Sequence, residues 1–119
     1  MDRKFLEDNG VDVKTGLELL GDMDMYNDTM GDFLEELESK NNDLIGFKEK
    51  DDMNNYSILI HSIKSDCKYL GFTHLAELAY EHELKSKEDD KEFINNNFDV
   101  LESEIEKVLG IVKKYLGKE

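Results

Sequence analysis

Apolar residues recur at spacings of three and four along nearly the whole chain, and no stretch alternates with period two for long. This spacing gathers apolar side chains on one face of an α-helix, so the pattern predicts a helical protein. The long stripes consist of Met30, Phe33, Leu34, Leu37, Leu44 and Phe47; of Tyr56, Leu59, Ile60, Ile63, Cys67 and Leu70; of Leu75, Leu78, Ala79 and His82; and of Phe98, Leu101, Ile105, Val108, Val112 and Tyr115. The sequence therefore predicts four long amphipathic helices.

Short polar or glycine-containing segments separate the four stripes and predict the helix ends. We expect Asp24 to cap the first long helix, and the pair Asp51-Asp52 to form a turn and cap the second. Gly71 stands where a left-handed C-cap is expected, and Thr73 is placed to cap the third helix. The acidic segment 88–90 predicts the last turn. Each connection is about two to five residues long, so neighbouring helices should be antiparallel.

A shorter apolar pattern precedes these helices. Val13, Leu17 and Leu20 predict a short helix over about 12–20 that Gly21 ends, with Phe5 and Leu6 as an apolar anchor before it. The predicted fold is all-α: an antiparallel up-down-up-down four-helix bundle with a short leading N-terminal helix. No internal repeat or composition shift divides the chain, so we expect a single domain over residues 1–119.

Composition and charge exclude several functions. The 119 residues include no proline, which suits long uninterrupted helices. With 15 Lys and Arg against 29 Asp and Glu, the net charge of −14 argues against nucleic acid as a partner. No signal-like start and no apolar run of membrane-spanning length is present. We expect a cytoplasmic monomer, and the lone Cys67 on a core stripe should be an inert, unpaired thiol.

One histidine stands apart from the core stripe of its helix. At 100° per residue, His61 lies about 140° from the centre of the Tyr56–Leu70 stripe and faces solvent. Ile58, at about 200°, exposes an apolar side chain beside it. Small or basic residues share this face: Ser57, Lys64, Ser65 and Lys68. Lysines stabilise anionic phosphoryl oxygens, and a neutral imidazole is a competent nucleophile. Geometry alone leaves open that this surface histidine has no role.

Residues 60–72, Ile-His-Ser-Ile-Lys-Ser-Asp-Cys-Lys-Tyr-Leu-Gly-Phe, followed by Leu-Ala pairs at 75–76 and 78–79, resemble the histidine phosphotransfer (HPt) domain of multistep two-component phosphorelays. In the family pattern a large aliphatic residue stands two positions after the histidine, a lysine three positions after it and a small residue four positions after it. Leu-Gly follows at the ninth and tenth positions after the histidine. In this chain Ile63, Lys64, Ser65, Leu70 and Gly71 fill those positions. Residues 10–21 and 26–37 also resemble the family's leading helix and first bundle helix. Ser65 departs from the glycine most common at its position.

The resemblance implies that His61 accepts a phosphoryl group from an aspartyl phosphate on a response-regulator receiver domain and passes it to another receiver. Lys64, Ser65 and Lys68 would stabilise the phosphoryl group, and the small side chain of Ser65 would also leave the approach open. Ile58 and Ser57 would contact the docked partner. The chain would be a phosphocarrier and not an enzyme, without a cofactor of its own, because the receiver supplies Mg²⁺. It would be free-standing or a domain of a hybrid sensor histidine kinase.

A second hypothesis is an acidic helical adaptor that binds a signalling partner through the Ile58 face without being phosphorylated. The remaining polar candidates are expected to lie outside any site. Glu83 lies near the position where some members of the resembled family place a polar side chain against the second nitrogen of the imidazole, but we expect it to be an exposed, salt-bridging residue. We expect His82 to pack in the core with one nitrogen satisfied. The spacing of His74, Glu77 and Glu81 resembles that of metal ligands, but their shared face points outward. We therefore expect no metal site.

Overall fold

The computed structural model describes residues 1–118, and all the regular secondary structure in that range is α-helical. This confirms the predicted all-α fold. The helices are α1 (Arg3–Asp8), α2 (Val13–Leu20), α3 (Met23–Glu49), α4 (Met53–Leu70), α5 (Thr73–Lys87) and α6 (Lys91–Leu116).

The four long helices, α3 to α6, form the bundle. Segments 50–52, 71–72 and 88–90 connect them, and these short connections make consecutive helices antiparallel. Each of the four helices packs against two others: α3 against α4, α4 against α5, α5 against α6, and α6 against α3. The residues of the four predicted stripes are buried, except for Phe47, Leu59 and Leu78, which are partly buried against the core. Cys67 is fully buried there, and burial raises the pKa of its thiol far above its ordinary range.

Two helix starts differ from the sequence prediction. Asp22, not Asp24, caps α3, because its side chain accepts a hydrogen bond from the Met25 N–H at 2.9 Å. Asp24 lies in the first turn, where its negative charge interacts favourably with the positive end of the helix dipole. Thr73 is the first residue of α5 and does not cap it, since Phe72 occupies the cap position without a side-chain hydrogen bond.

The segment before the bundle is helical in two pieces. The predicted anchor is itself a helix, α1, with Leu6 fully buried. Asp12 caps α2, and its backbone N–H donates to the Gly71 carbonyl at 2.9 Å. Gly71 has φ +89°, and a Cβ there would lie 2.2 Å from the Asp12 carbonyl oxygen. The glycine of the Leu-Gly pair therefore ends α4 and also admits the start of α2 against that end.

No helix within residues 1–118 combines the length and the apolar character that a membrane span requires.

Candidate functional site

His61 lies near the middle of α4 and faces outward, as its helical angle predicts. Its side chain is 57 % exposed. It lines a shallow depression together with Ser57, Ile58, Glu83 and Lys87. The depression therefore brings together residues from α4 and from the last two turns of α5.

The carboxylate of Glu83 contacts three other side chains of this site. Its side chain is only 4 % exposed, and both carboxylate oxygens are engaged. His61 Nδ1 lies 2.8 Å from Oε2, Lys87 Nζ donates to the same oxygen at 2.8 Å, and Lys64 Nζ donates to Oε1 at 2.6 Å. The expectation that Glu83 is exposed and outside the site is wrong. Because α5 packs against both α4 and α6, its buried surface is wider than the single stripe that the sequence displays.

The charge of Glu83 determines which nitrogen of His61 carries a proton. Burial on its own raises the pKa of the Glu83 carboxyl, but the hydrogen bonds from Lys64, Lys87 and His61 outweigh it and lower that pKa to about 2. An ionised carboxylate only accepts hydrogen bonds, so His61 Nδ1 must donate. The neutral imidazole then has its lone pair on Nε2, which has no hydrogen-bond partner within residues 1–118.

Lys64 is less available than its position on the helical wheel suggests. Its side chain is 11 % exposed, and its ammonium also lies 5.1 Å from the centre of the Tyr80 ring. The ammonium that the sequence places on the exposed face with His61 is therefore largely buried. The ammonium sits between a buried carboxylate and an aromatic face, two partners that attract a cation.

The two other α4 residues predicted to assist a phosphoryl group lie further from the imidazole. Ser65 is half-buried, and its hydroxyl donates to the His61 carbonyl oxygen at 3.1 Å instead of reaching the ring. Lys68 is exposed and lines separate depressions, one of them with Ser65, Tyr69 and Leu19 of α2. The structure therefore brings neither residue into the depression that contains His61.

The two predicted docking residues differ in exposure. Ile58 is 62 % exposed beside the histidine, as expected. Ser57 is 7 % exposed, and its hydroxyl donates to the Asn54 carbonyl at 2.8 Å. The expected solvent-facing hydroxyl at Ser57 is thus wrong, because α5 covers this side of α4 and leaves Ser57 on the floor of the depression.

Lys87 is a site residue that the sequence reasoning missed. The α4–α5 connection is only two residues long, so positions equally far from Gly71-Phe72 face each other across the antiparallel pair. His61 and Glu83 lie at nearly equal distances from this connection. Lys87 follows Glu83 by one helical turn, the spacing at which opposite charges pair. This mirror register was a signal for both residues, and for Glu83 the family resemblance supplied another.

His82 helps to fix the relative position of α4 and α5 from within the core. It is 2 % exposed, its Nδ1 lies 2.8 Å from the Tyr56 hydroxyl, and its ring meets Phe93 edge-on at 5.5 Å. Burial lowers the pKa of His82 to about 4, so the imidazole is neutral at pH 7. The sequence prediction of a packed core histidine is confirmed. The Tyr56–His82 pair joins α4 to α5 next to Glu83.

His74, Glu77 and Glu81, whose spacing resembles that of metal ligands, all lie on α5. His74 Nε2 lies 4.0 Å from Glu104 of α6. Within residues 1–118, no group of three or more His, Cys, Asp or Glu side chains is arranged to hold a metal ion.

Comparison with known proteins identifies the family. The profile of the family described as "Hpt domain" matches residues 23–110, which run from the start of α3 into α6 and include the whole depression around His61. Searches among curated proteins and among solved structures find no match. Hpt domains carry phosphoryl groups on histidine in phosphorelays and interact with response-regulator receivers. The profile covers well over half of the chain, which therefore belongs to the histidine phosphotransfer domain family of phosphorelay systems.

Proposed function

We propose that His61 Nε2 accepts a phosphoryl group from the aspartyl phosphate of one receiver domain and passes it to an aspartate of a second receiver. The observation that carries this proposal is the 2.8 Å contact between His61 Nδ1 and the buried Glu83 carboxylate. An exposed histidine has no need of a buried, charged partner, whereas a nucleophilic imidazole benefits from a fixed ring and a fixed tautomer.

The transfer exchanges one bond for another. The Nε2 lone pair attacks phosphorus, the bond from phosphorus to the aspartyl oxygen breaks, and its electron pair leaves with the aspartate carboxylate. The proton on Nδ1 stays in place, so the imidazole ring gains positive charge as the new bond forms. Glu83 stabilises that charge because its carboxylate already accepts the Nδ1 hydrogen bond. Transfer to the second receiver reverses these steps.

The chain's contribution is to present the nucleophile, and the receiver contributes the rest. Phosphoryl transfer depends mainly on positioning and charge neutralisation, and we expect the receiver to supply Mg²⁺ and its own acidic pocket. Ile58, exposed beside His61, offers an apolar contact for the docked receiver. In this arrangement the protein is a phosphocarrier without turnover chemistry of its own.

The adaptor hypothesis accounts for less of the site. A partner-binding surface needs exposed side chains such as Ile58, but it does not need a carboxylate with three cationic or N–H donors beneath a histidine. Burying an ionised carboxylate is costly unless its hydrogen bonds are all made. This cost favours phosphotransfer over adaptor binding.

A phosphotransfer profile tests the proposal. The protein is mixed for short times with each phosphorylated receiver of its source organism, and radiolabel on the chain is measured. We expect one or a few receivers to label the wild type, the label to be acid-labile, and His61→Gln to abolish it. His74→Gln, which changes another exposed histidine, should label like the wild type. Binding of a receiver without label on either protein would favour the adaptor, and label on His61→Gln would refute the assignment.

A further inference from the structure

Two lysines bind Glu83, and their surroundings differ sharply. The side chain of Lys64 is 11 % exposed, whereas that of Lys87 is 60 % exposed. Lys87 also lines the same depression as His61, which Lys64 does not. A phosphoryl group on His61 would therefore be reached from solvent by the ammonium of Lys87.

Lys64 has two partners that it would lose by moving. Its ammonium donates to Glu83 Oε1 at 2.6 Å and lies 5.1 Å from the Tyr80 ring centre. Its departure would leave a buried carboxylate oxygen without a donor, which is costly. Lys64 therefore stays with Glu83 while the phosphoryl group arrives and leaves.

Lys87 shares its acceptor with the reacting ring. Its Nζ and His61 Nδ1 both lie 2.8 Å from the same oxygen, Glu83 Oε2. As the ring gains positive charge, the Nδ1–H group binds this oxygen more strongly and repels the neighbouring ammonium. The phosphoryl oxygens offer that ammonium an anionic partner within the same depression.

We infer that Lys87 moves from Glu83 to the phosphoryl group on His61 and is the lysine that stabilises it, while Lys64 is a positioning residue that holds Glu83. This inference rests on the proposed phosphorylation of His61. It differs from the expectation drawn from the sequence, in which Lys64, Ser65 and Lys68 stabilise the phosphoryl group.

The test uses potassium phosphoramidate, a small donor whose phosphorus–nitrogen bond breaks to release ammonia as the His61–phosphorus bond forms. The 31P resonance of the phosphohistidine is followed as a function of pH in the full chain. A cation bound to the phosphoryl oxygens lowers the midpoint of their titration. We expect Lys87→Gln to raise that midpoint by about half a pH unit, a roughly threefold change in proton affinity. Lys64→Gln should raise the midpoint by less than about half of that amount, because its ammonium stays on Glu83.

Two further variants separate a specific contact from a general loss of charge. Lys87→Arg should restore the wild-type midpoint, because a guanidinium also binds phosphoryl oxygens. Lys85→Gln removes the same charge from the same helix, at a lysine that pairs with Glu88 and lies over the Phe93 ring, and should not move the midpoint.

A kinetic measurement completes the test. With a phosphorylated receiver that labels the wild type, Lys87→Gln should slow transfer about tenfold, and Lys87→Arg should restore most of the rate. A midpoint that moves at least as far in Lys64→Gln as in Lys87→Gln would overturn the inference and leave the proposed function intact. Failure of the wild type to give any phosphohistidine resonance would instead overturn the proposed function, and with it the inference.

Discussion

Glu83→Gln should destabilise the protein strongly, because it removes a buried charge while preserving the size of the side chain. The pKa of Glu83 is lowered from its ordinary 4.5 to about 2. At 1.36 kcal/mol for each pKa unit, this difference corresponds to about 3 kcal/mol of folding free energy at pH 7. The substitution also leaves the ammonium of Lys64, at 11 % exposure, without its anionic partner. We therefore expect the free energy of unfolding to fall by about 3 kcal/mol.

The pH dependence of this loss identifies its cause. The unfolded chain begins to protonate Glu83 near pH 4.5, whereas the folded protein keeps it ionised until about pH 2. The stabilisation is thus complete above pH 4.5 and is lost as the pH falls toward 2. Because glutamine does not titrate, the difference in free energy of unfolding between wild type and variant should shrink by about 2 kcal/mol between pH 7 and pH 3.

Urea unfolding followed by circular dichroism at 222 nm measures this gap at each pH. Glu81→Gln, a charge removal at an exposed position of the same helix, should change stability by no more than about 0.5 kcal/mol. A gap for Glu83→Gln below about 1 kcal/mol at pH 7, or one that stays constant down to pH 3, would refute the reasoning about the buried carboxylate.

Three further predictions concern the core, the helix junction and the docking surface. As the pH falls from about 6.5 to about 4, the unfolded chain binds a proton at His82 that the folded protein excludes, so the free energy of unfolding should drop by about 3 kcal/mol. In urea titrations, His82→Gln should reduce this dependence of stability on pH. Gly71→Ala should lower stability by more than about 2 kcal/mol in the same assay, because its Cβ would meet the Asp12 carbonyl oxygen at 2.2 Å. Ile58→Ser should slow transfer from a phosphorylated receiver about tenfold without changing the rate at which phosphoramidate phosphorylates His61.

Each of these three variants has a matched control. His74→Gln removes an exposed histidine and should change the free energy of unfolding by no more than about 0.5 kcal/mol. Gly117→Ala should cost only about 1 kcal/mol, because its φ is +69° but nothing lies within 4 Å of its Cβ. Val100→Ser removes an apolar side chain that is 55 % exposed on α6 and should leave transfer unchanged. A control that behaves like its partner variant would refute the corresponding prediction.

The bundle was predictable because its information is local. Apolar spacing specified the long helices, and the acidic pairs and Gly71 marked their ends to within a few residues. The cap of α3 was misjudged because Asp22 and Asp24 are both suitable caps two residues apart, and only the backbone geometry distinguishes them. α1 was missed as a helix because six residues are too few to show a helical period.

The site was only partly predictable because it depends on the packing of two helices. The exposure of His61 follows from the angle of one residue on one helix. Glu83 and Lys64 are different, because their exposure depends on how far α5 covers α4, and a helical wheel contains no neighbouring helix. Ser57 was misjudged for the same reason. Tyr80, which covers Lys64, carries no sequence signal that would pair it with that lysine.

The most direct test of the central claim is to identify the nitrogen of His61 that carries the phosphoryl group. The protein, labelled with 15N on its histidine rings, is phosphorylated by a cognate receiver, and 15N–31P coupling is measured in correlated spectra. The account predicts one phosphoryl group, on His61 Nε2, with the proton retained on Nδ1 beside Glu83. Phosphorylation on Nδ1, or on any residue other than His61, would contradict it.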